Sequence, residues 1–341
     1  MMGIDKQILL RTSRLSLTCI LLFLVSWYFE VPQYSWGLIT IIVVMFDNTT
    51  LGGVISKSKL RLWGTSLSAL YGLVIIYTCD NNALVNILAF IPGIFVYSYF
   101  FMAGDKVYIG IIGAVTLTIV LFNYNDIDIA ILRVFNIILG IIASLLMMRF
   151  FYPQYAQDKM LETYLEMMKQ LSLLLNHYLD KTQTLALLKQ NYLDYEHRMI
   201  ALIQLTNRYA QEAAVENPKM PQFIQYQAEV THHIRHLFRL CSVLVYHLTT
   251  ESVRSNPSIR EKIMELLALF TDIQCMLESE RVDHQQPDAI HDRPKHRMSK
   301  PFNSRQTIHT LLTTMCHEAE LLYVEVKKIA SYPGMNKKNA D

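Results

Sequence analysis

The stretch MFDNTTLGGVISKSKLRLWGTSLSALYG, residues 45–72, decides how this chain folds. It follows a run from Trp36 to Phe46 that is apolar and then stops at Asp47-Asn48-Thr49-Thr50. That run, as a helix, rises only about 16 Å, whereas a hydrocarbon core of about 30 Å needs about 20 residues. It is therefore either a short buried helix of a soluble protein or one arm of a membrane helix with a polar break inside it. Continued to Lys57, the helix reaches about 31 Å, and the break then fits within a bilayer.

Composition favours the membrane. Of 341 residues, 52% are hydrophobic and 18% charged, with mean hydropathy +0.23, which is too oily for an ordinary soluble domain. Residues 1–153 hold 9 of the 31 Lys and Arg, 7 of the 29 Asp and Glu, and no His. The reading is an all-α protein: a transmembrane domain of six helices over 1–153, then a cytosolic helical bundle over 154–341, long enough to bury its own core. The net charge of +2 lies wholly in the first part. A neutral second part argues against nucleic acid as a partner.

Charges and turn residues divide the first part into apolar segments at 15–30, 35–56, 63–79, 83–103, 107–123 and 129–151. Alternating them across a bilayer puts Lys6, Arg11, Arg14, Lys57, Lys59, Arg61, Lys106 and Arg149 on one side, and Glu30, Asp80, Asp126 and Asp128 on the other. Cytoplasmic ends collect Lys and Arg, so both termini are expected in the cytoplasm. Trp27 and Trp36 then fall at the outer interface and Trp63 at the inner one. The stretch WYFEVPQYSW offers no small-x-small cleavage site, so the first segment is read as a membrane helix and not as a secretory signal. The five cysteines, Cys19, Cys79, Cys241, Cys275 and Cys316, show no paired spacing, and no disulfide framework or metal site is expected.

Small residues recur every fourth position in two segments, as Gly64, Ser68 and Gly72 and as Gly110, Ala114 and Thr118, the pattern of close helix contacts. Pro92-Gly93 should kink the fourth segment. In the sixth, Arg133, Asn136, Gly140 and Ser144 share one stripe. An arginine near membrane depth either faces an anion path or snorkels to the headgroups. In the break, Asp47, Asn48 and Thr50 either cap loosened backbone or, with Gly52 and Gly53 letting the chain open, help form an anion site at free helix ends.

The run YSWGLITIIVV, then Gly52-Gly53, then Ser56-Lys57-x-x-x-Arg61-x-x-Gly64-Thr65 resembles the signature of the fusaric acid resistance and aromatic acid exporter family, to which the plant aluminium-activated malate transporters are related. Arg133, Gly140 and Pro153 resemble that family's sixth helix and the proline ending it. The resemblance covers residues 1 to about 160 well, and the remainder in helical character only. It implies a permease exporting organic anions, such as aromatic carboxylic acids, across the bacterial inner membrane. The substrate path would include Arg133, Asn136, Asp47, Asn48, Thr50, Gly52 and Gly53, with the Ser56–Thr65 motif at its inner end. It also implies two membrane units per working assembly, hence a homodimer, and leaves a periplasmic adaptor as an open partner. The alternatives are an anion channel for carboxylates such as malate, and a membrane-anchored sensor or scaffold. One departure is that Asn48-Thr49 stands where the family shows Glu, Gln or a Pro-containing pair, with Asp47 offset by one residue.

The second part reads as five helices at 155–182, 185–216, 220–250, 257–281 and 304–331, from apolar residues at 3–4 spacing such as 161, 165, 168, 171, 175, 178 and 230, 234, 237, 241, 244, 248. The charged stretch 282–303 reads as a flexible loop. His232 and His236 stand at i, i+4, but no third ligand is in reach by sequence, which favours a packed or solvated face. No phosphate loop, G-x-S-x-G or H-E-x-x-H occurs, so neither an enzyme nor a cofactor is expected.

Overall fold

The computed structural model describes residues 6–78, 83–122, 128–179, 185–218, 221–247, 256–282 and 304–330. Cys79, Asp80, Asp126, Leu248 and the stretch 283–303 lie outside them. All regular structure described is helical, and the chain divides into two compact units, Met1–Ala156 and Gln157–Asp341.

The first unit holds α1 (Lys6–Tyr28), α2 (Ser35–Met45), α3 (Leu51–Thr78), α4 (Ala83–Phe101), a 3-10 turn (Gly104–Lys106), α5 (Val107–Phe122) and α6 (Asp128–Phe150). Four of these, α1, α3, α4 and α6, are long and apolar enough to cross a membrane, while α2 and α5 are shorter apolar helices. Large apolar side chains such as Ile20, Leu24, Leu88, Phe95, Ile131 and Leu146 point outward. Such an exterior is stable in lipid, where every backbone group is already bonded within its helix.

The expected boundary between the second and third segments is wrong. The break at 46–50 is the turn between two helices, and the run Lys57–Leu62, read as an inner loop, lies within the 28-residue α3. The reason is local. Asn48 Nδ2 donates to the Val44 carbonyl at 2.7 Å and closes α2, and Thr50 Oγ1 accepts from the Gly53 N–H at 3.1 Å and opens α3. Lys57 reaches back to Asp47 at 3.5 Å, so its charge does not require a loop. Trp63 accordingly sits twelve positions into α3, about 18 Å from its start.

Side-chain contacts give the directions. Gly37 on α2 meets Leu22 on α1, and Arg11 bonds the Phe46 carbonyl, so α1 and α2 are antiparallel. Arg61 touches Thr40 and Lys57 touches Asp47, so α3 runs back along α2. Gly64 meets Ile109 and Gly113, and Gly72 meets Val120, so α3 and α5 run parallel. Gly93 meets Leu117 and Gly110 meets Phe101, so α4 is antiparallel to α5. Each of α2 to α5 thus reverses the helix before it. Pro92 is accommodated inside α4, where the Tyr71 hydroxyl donates to the nearby Ala89 carbonyl at 3.0 Å.

The second unit contains α7 (Ala156–Leu179, its first residue ending the first unit), α8 (Leu185–Glu216), α9 (Pro221–His247), α10 (Pro257–Val282) and α11 (Ser304–Ala330). Leu161, Leu165, Met168, Leu171 and Leu175 of α7 and Val230, Ile234, Leu237, Cys241 and Leu244 of α9 are buried in one core with Phe270, Met315 and Leu322. The 3–4 spacing read in the sequence is the core face itself.

Candidate anion site

Three arginines are buried in the first unit, each 3% exposed: Arg14, Arg61 and Arg133. Their surroundings separate them. Arg14, on α1, donates to the carbonyls of Tyr152 at 3.3 Å and Thr49 at 3.4 Å, with Arg11 beside it on Phe46. These carbonyls lie outside the helices, Thr49 in the α2–α3 turn and Tyr152 just past the end of α6, where backbone oxygens need donors from elsewhere. Arg14 is thus a clamp on the α2–α3 turn and the end of α6.

Arg61 has no such carbonyls. Ten positions into α3, it donates from Nε to Thr40 Oγ1 at 3.1 Å and from Nη1 to the Tyr108 hydroxyl at 3.2 Å. Thr40 in turn donates to the Trp36 carbonyl at 2.7 Å. Both partners of the guanidinium are neutral. Arg133, on α6, lays its guanidinium 3.7 Å from the centroid of the Trp36 ring, and its Nε and Nη1 have no hydrogen-bond partner among the described residues. The two cations lie within electrostatic reach of each other. No carboxylate pairs with either among the described residues.

A buried charge is costly unless paired, and two like charges in a low-dielectric interior raise that cost. The local geometry explains how they come together. Gly37 and Gly140 let α2 and α6 touch backbone to backbone: a Cβ on Gly140 would stand 2.5 Å from the Gly37 carbonyl oxygen. That contact brings Trp36 under Arg133, while Thr40, one turn further, meets Arg61.

The other residues named from the sequence are placed as follows. Asn136 donates its amide to the carbonyls of Pro32 and Leu132, both at 2.9 Å, which fixes the loop before α2. Asp47 is largely exposed and pairs with Lys57. Asn48 and Thr50 act as caps, and Gly52 and Gly53 lie buried in the first turn of α3. In that turn the Leu51 N–H donates to the Gln154 carbonyl at 3.0 Å, and the Gly53 and Val54 N–H groups donate to Thr50. Ser56 is half-buried, whereas Gly64 and Thr65 are buried in mid-helix. The structure therefore sets Arg133 and Arg61 against neighbouring turns of α2, at Trp36 and Thr40, apart from the turn at 46–50. Thr40, Trp36 and Tyr108 were not singled out as site residues. A separate groove of about 430 Å³ between α3 and α6, lined by Ala69, Leu73, Ile131, Val134 and Phe135, is apolar and not lined by Arg133.

In the second unit, His233 Nδ1 and His236 Nδ1 lie 2.9 and 3.0 Å from the two oxygens of Glu318. The partner that the histidines lack in sequence comes from α11. Among the described residues no group of three or more His, Cys, Asp or Glu side chains is arranged to hold a metal ion.

The chain matches the fusaric acid resistance protein family over residues 9–332. It belongs to that family. The inner membrane protein YeeA of Escherichia coli (strain K12) is 31% identical over 147 residues, which cover 42% of this chain and 41% of that relative. The match thus spans less than half of the curated relative. Family membership, the apolar helices and their outward faces together make this a multi-pass membrane protein.

Proposed function

We propose that this member of the fusaric acid resistance family is a permease that exports small organic anions, aromatic carboxylates among them, across the bacterial inner membrane. One observation carries the reading: Arg61 and Arg133 are buried within reach of each other with only neutral partners. An anion between them relieves both desolvation and mutual repulsion, which a structural ion pair would already have done. The Trp36 face that receives Arg133 also suits an aromatic ring. In this reading six helices cross the bilayer with both termini in the cytoplasm, the second unit is a cytosolic bundle, and two copies form the working assembly. Exclusion of acidic groups from the buried pair favours transport over a role as a membrane anchor, which needs no buried cation.

The test is efflux of radiolabelled benzoate from proteoliposomes, run with and without a pH gradient. Wild-type protein should release label faster than empty vesicles. Equal rates for benzoate and a panel of other small carboxylates in both preparations would contradict the reading.

A further inference from the structure

Among the described residues of the first unit, six hydroxyls, those of Thr12, Thr18, Thr40, Thr78, Thr118 and Ser144, donate to the carbonyl four positions back at 2.7–2.9 Å. This is how a helix in hydrocarbon satisfies a hydroxyl within itself. Four others do not use it. Ser58, Thr65 and Ser68 on α3 and Thr116 on α5 are at most 5% exposed, and their oxygens have no hydrogen-bond partner among the described residues. The Ser68 hydroxyl lies toward that of Tyr97 without reaching hydrogen-bond geometry.

Three of them, Thr65, Ser68 and Thr116, lie near one level, with Ser58 about 15 Å before Ser68 along α3. Ser58, Arg61, Thr65 and Ser68 follow each other at 3–4 spacing along one face of α3. Gly64 meets Ile109 and Gly113, and Gly72 meets Val120, so the parallel register sets Ser68 level with Thr116. A Cβ on Gly64 would stand 2.9 Å from the Ile109 carbonyl oxygen, so at this level the two helices touch backbone to side chain-free backbone.

The geometry points to the α3–α5 seam as a hydroxyl-lined leg of the anion passage, closed in this structure, leading from Arg61 past Thr65 to Ser68 and Thr116. The inference rests on the proposed transport of carboxylates and adds where the anion goes within one copy of the chain. A carboxylate leaving Arg61 must have its lost hydration replaced, and hydroxyls without other partners are the groups that can do so. Arg61 is the junction, since its Nε faces Thr40 of α2 and its Nη1 faces Tyr108 of α5.

The test uses full-length protein in membranes, with its native cysteines replaced by serine, and a small charged methanethiosulfonate read by intact mass. Ser68→Cys and Thr116→Cys should be modified at least about tenfold faster than Ile41→Cys, which is 0% exposed in the α1–α2–α6 cluster and off the seam. In the same vesicles, Ser68→Ala with Thr116→Val should lower benzoate flux about tenfold with Arg61 in place. If both cysteines are as inert as Ile41→Cys while Arg61-dependent flux persists, the seam is closed packing and the inference falls, with transport intact. If they are modified but flux ignores Arg61, Ser68 and Thr116, the seam opens to water and is not the anion's route.

Discussion

Arg133 on α6 stands with its guanidinium 3.7 Å from the ring centroid of Trp36 on α2. A cation over an indole face is worth about 0.5–2 kcal/mol, too little to offset the burial of a full charge. The contact fixes where the charge sits without neutralising it. Arg14 differs in its surroundings, since it lies on the backbone carbonyls of Tyr152 and Thr49 and not on an aromatic face.

Because the contact depends on Gly37 meeting Gly140, a side chain there should disturb it. A Cβ on Gly140 would lie 2.5 Å from the Gly37 oxygen and 2.9 Å from Thr40 Cβ, and neither can swing aside. Gly140→Val is expected to destabilise the protein by about 1–3 kcal/mol. Thermal unfolding in mild detergent measures this, and an unchanged midpoint would contradict the close α2–α6 contact.

The turn at 46–50 makes a prediction of rank. Thr50→Val removes the cap on the Gly53 N–H and should cost about 1 kcal/mol. Asp47→Asn removes a pair whose acid is 67% exposed and should cost less. Chemical denaturation of both variants should give that order, and the reverse would make Asp47 more than a surface partner.

The helical class of the fold and the core of the second unit were readable because period and burial coincide there: Leu161 to Leu175 and Val230 to Leu244 are apolar at every predicted core position. The α2–α3 boundary was not. Lys57, Lys59 and Arg61 look like a loop when charge alone is read, yet Val54, Ser58, Arg61, Thr65, Ser68 and Gly72 keep helical spacing and are all buried. Small and polar residues form that stripe, so a search for apolar periodicity passes over it. Arg133 stood out as a charge within an apolar run. Arg61 was read from its charge as part of a loop and lies within α3, and the contact of Trp36 with Arg133 was not foreseen because nothing in sequence links positions 36 and 133. Glu318 was invisible to a local reading for the same reason.

The Glu318 pair should give the second unit an acid limit. Burial pushes its carboxyl upward, but hydrogen bonds from His233 and His236 and their positive charge outweigh it and leave the carboxyl below its ordinary value of 4.5. The resulting stabilisation is fully present above that value and is lost as pH falls through the lowered folded value. Unfolding midpoints measured downward from pH 5 should fall more steeply for wild type than for Glu318→Gln. Parallel curves would mean that the contact carries no linkage.

Thiol chemistry offers an independent check on the second unit. Cys241 is wholly buried, and burial pushes its thiol up to about 12, whereas Cys275 is exposed. Folded protein in detergent should therefore be alkylated at Cys275 and spared at Cys241 until denaturant is added. Rapid modification of Cys241 in the folded state would contradict the packing of α9 in the core.

The central claim is that Arg61 and Arg133 are held for an anion, and the direct measurement is benzoate flux in proteoliposomes carrying Arg61→Gln, Arg133→Gln, or both. Gln keeps hydrogen-bonding capacity and removes charge, so a structural role would survive the change better than an electrostatic one. Each single variant should lose flux by about tenfold or more, and the double variant should lose less than the product of the two, as expected for groups acting on one ligand. All three should insert and melt like the wild type or above it, because a costly buried charge has been removed. Flux unchanged in correctly inserted double variant would contradict the account.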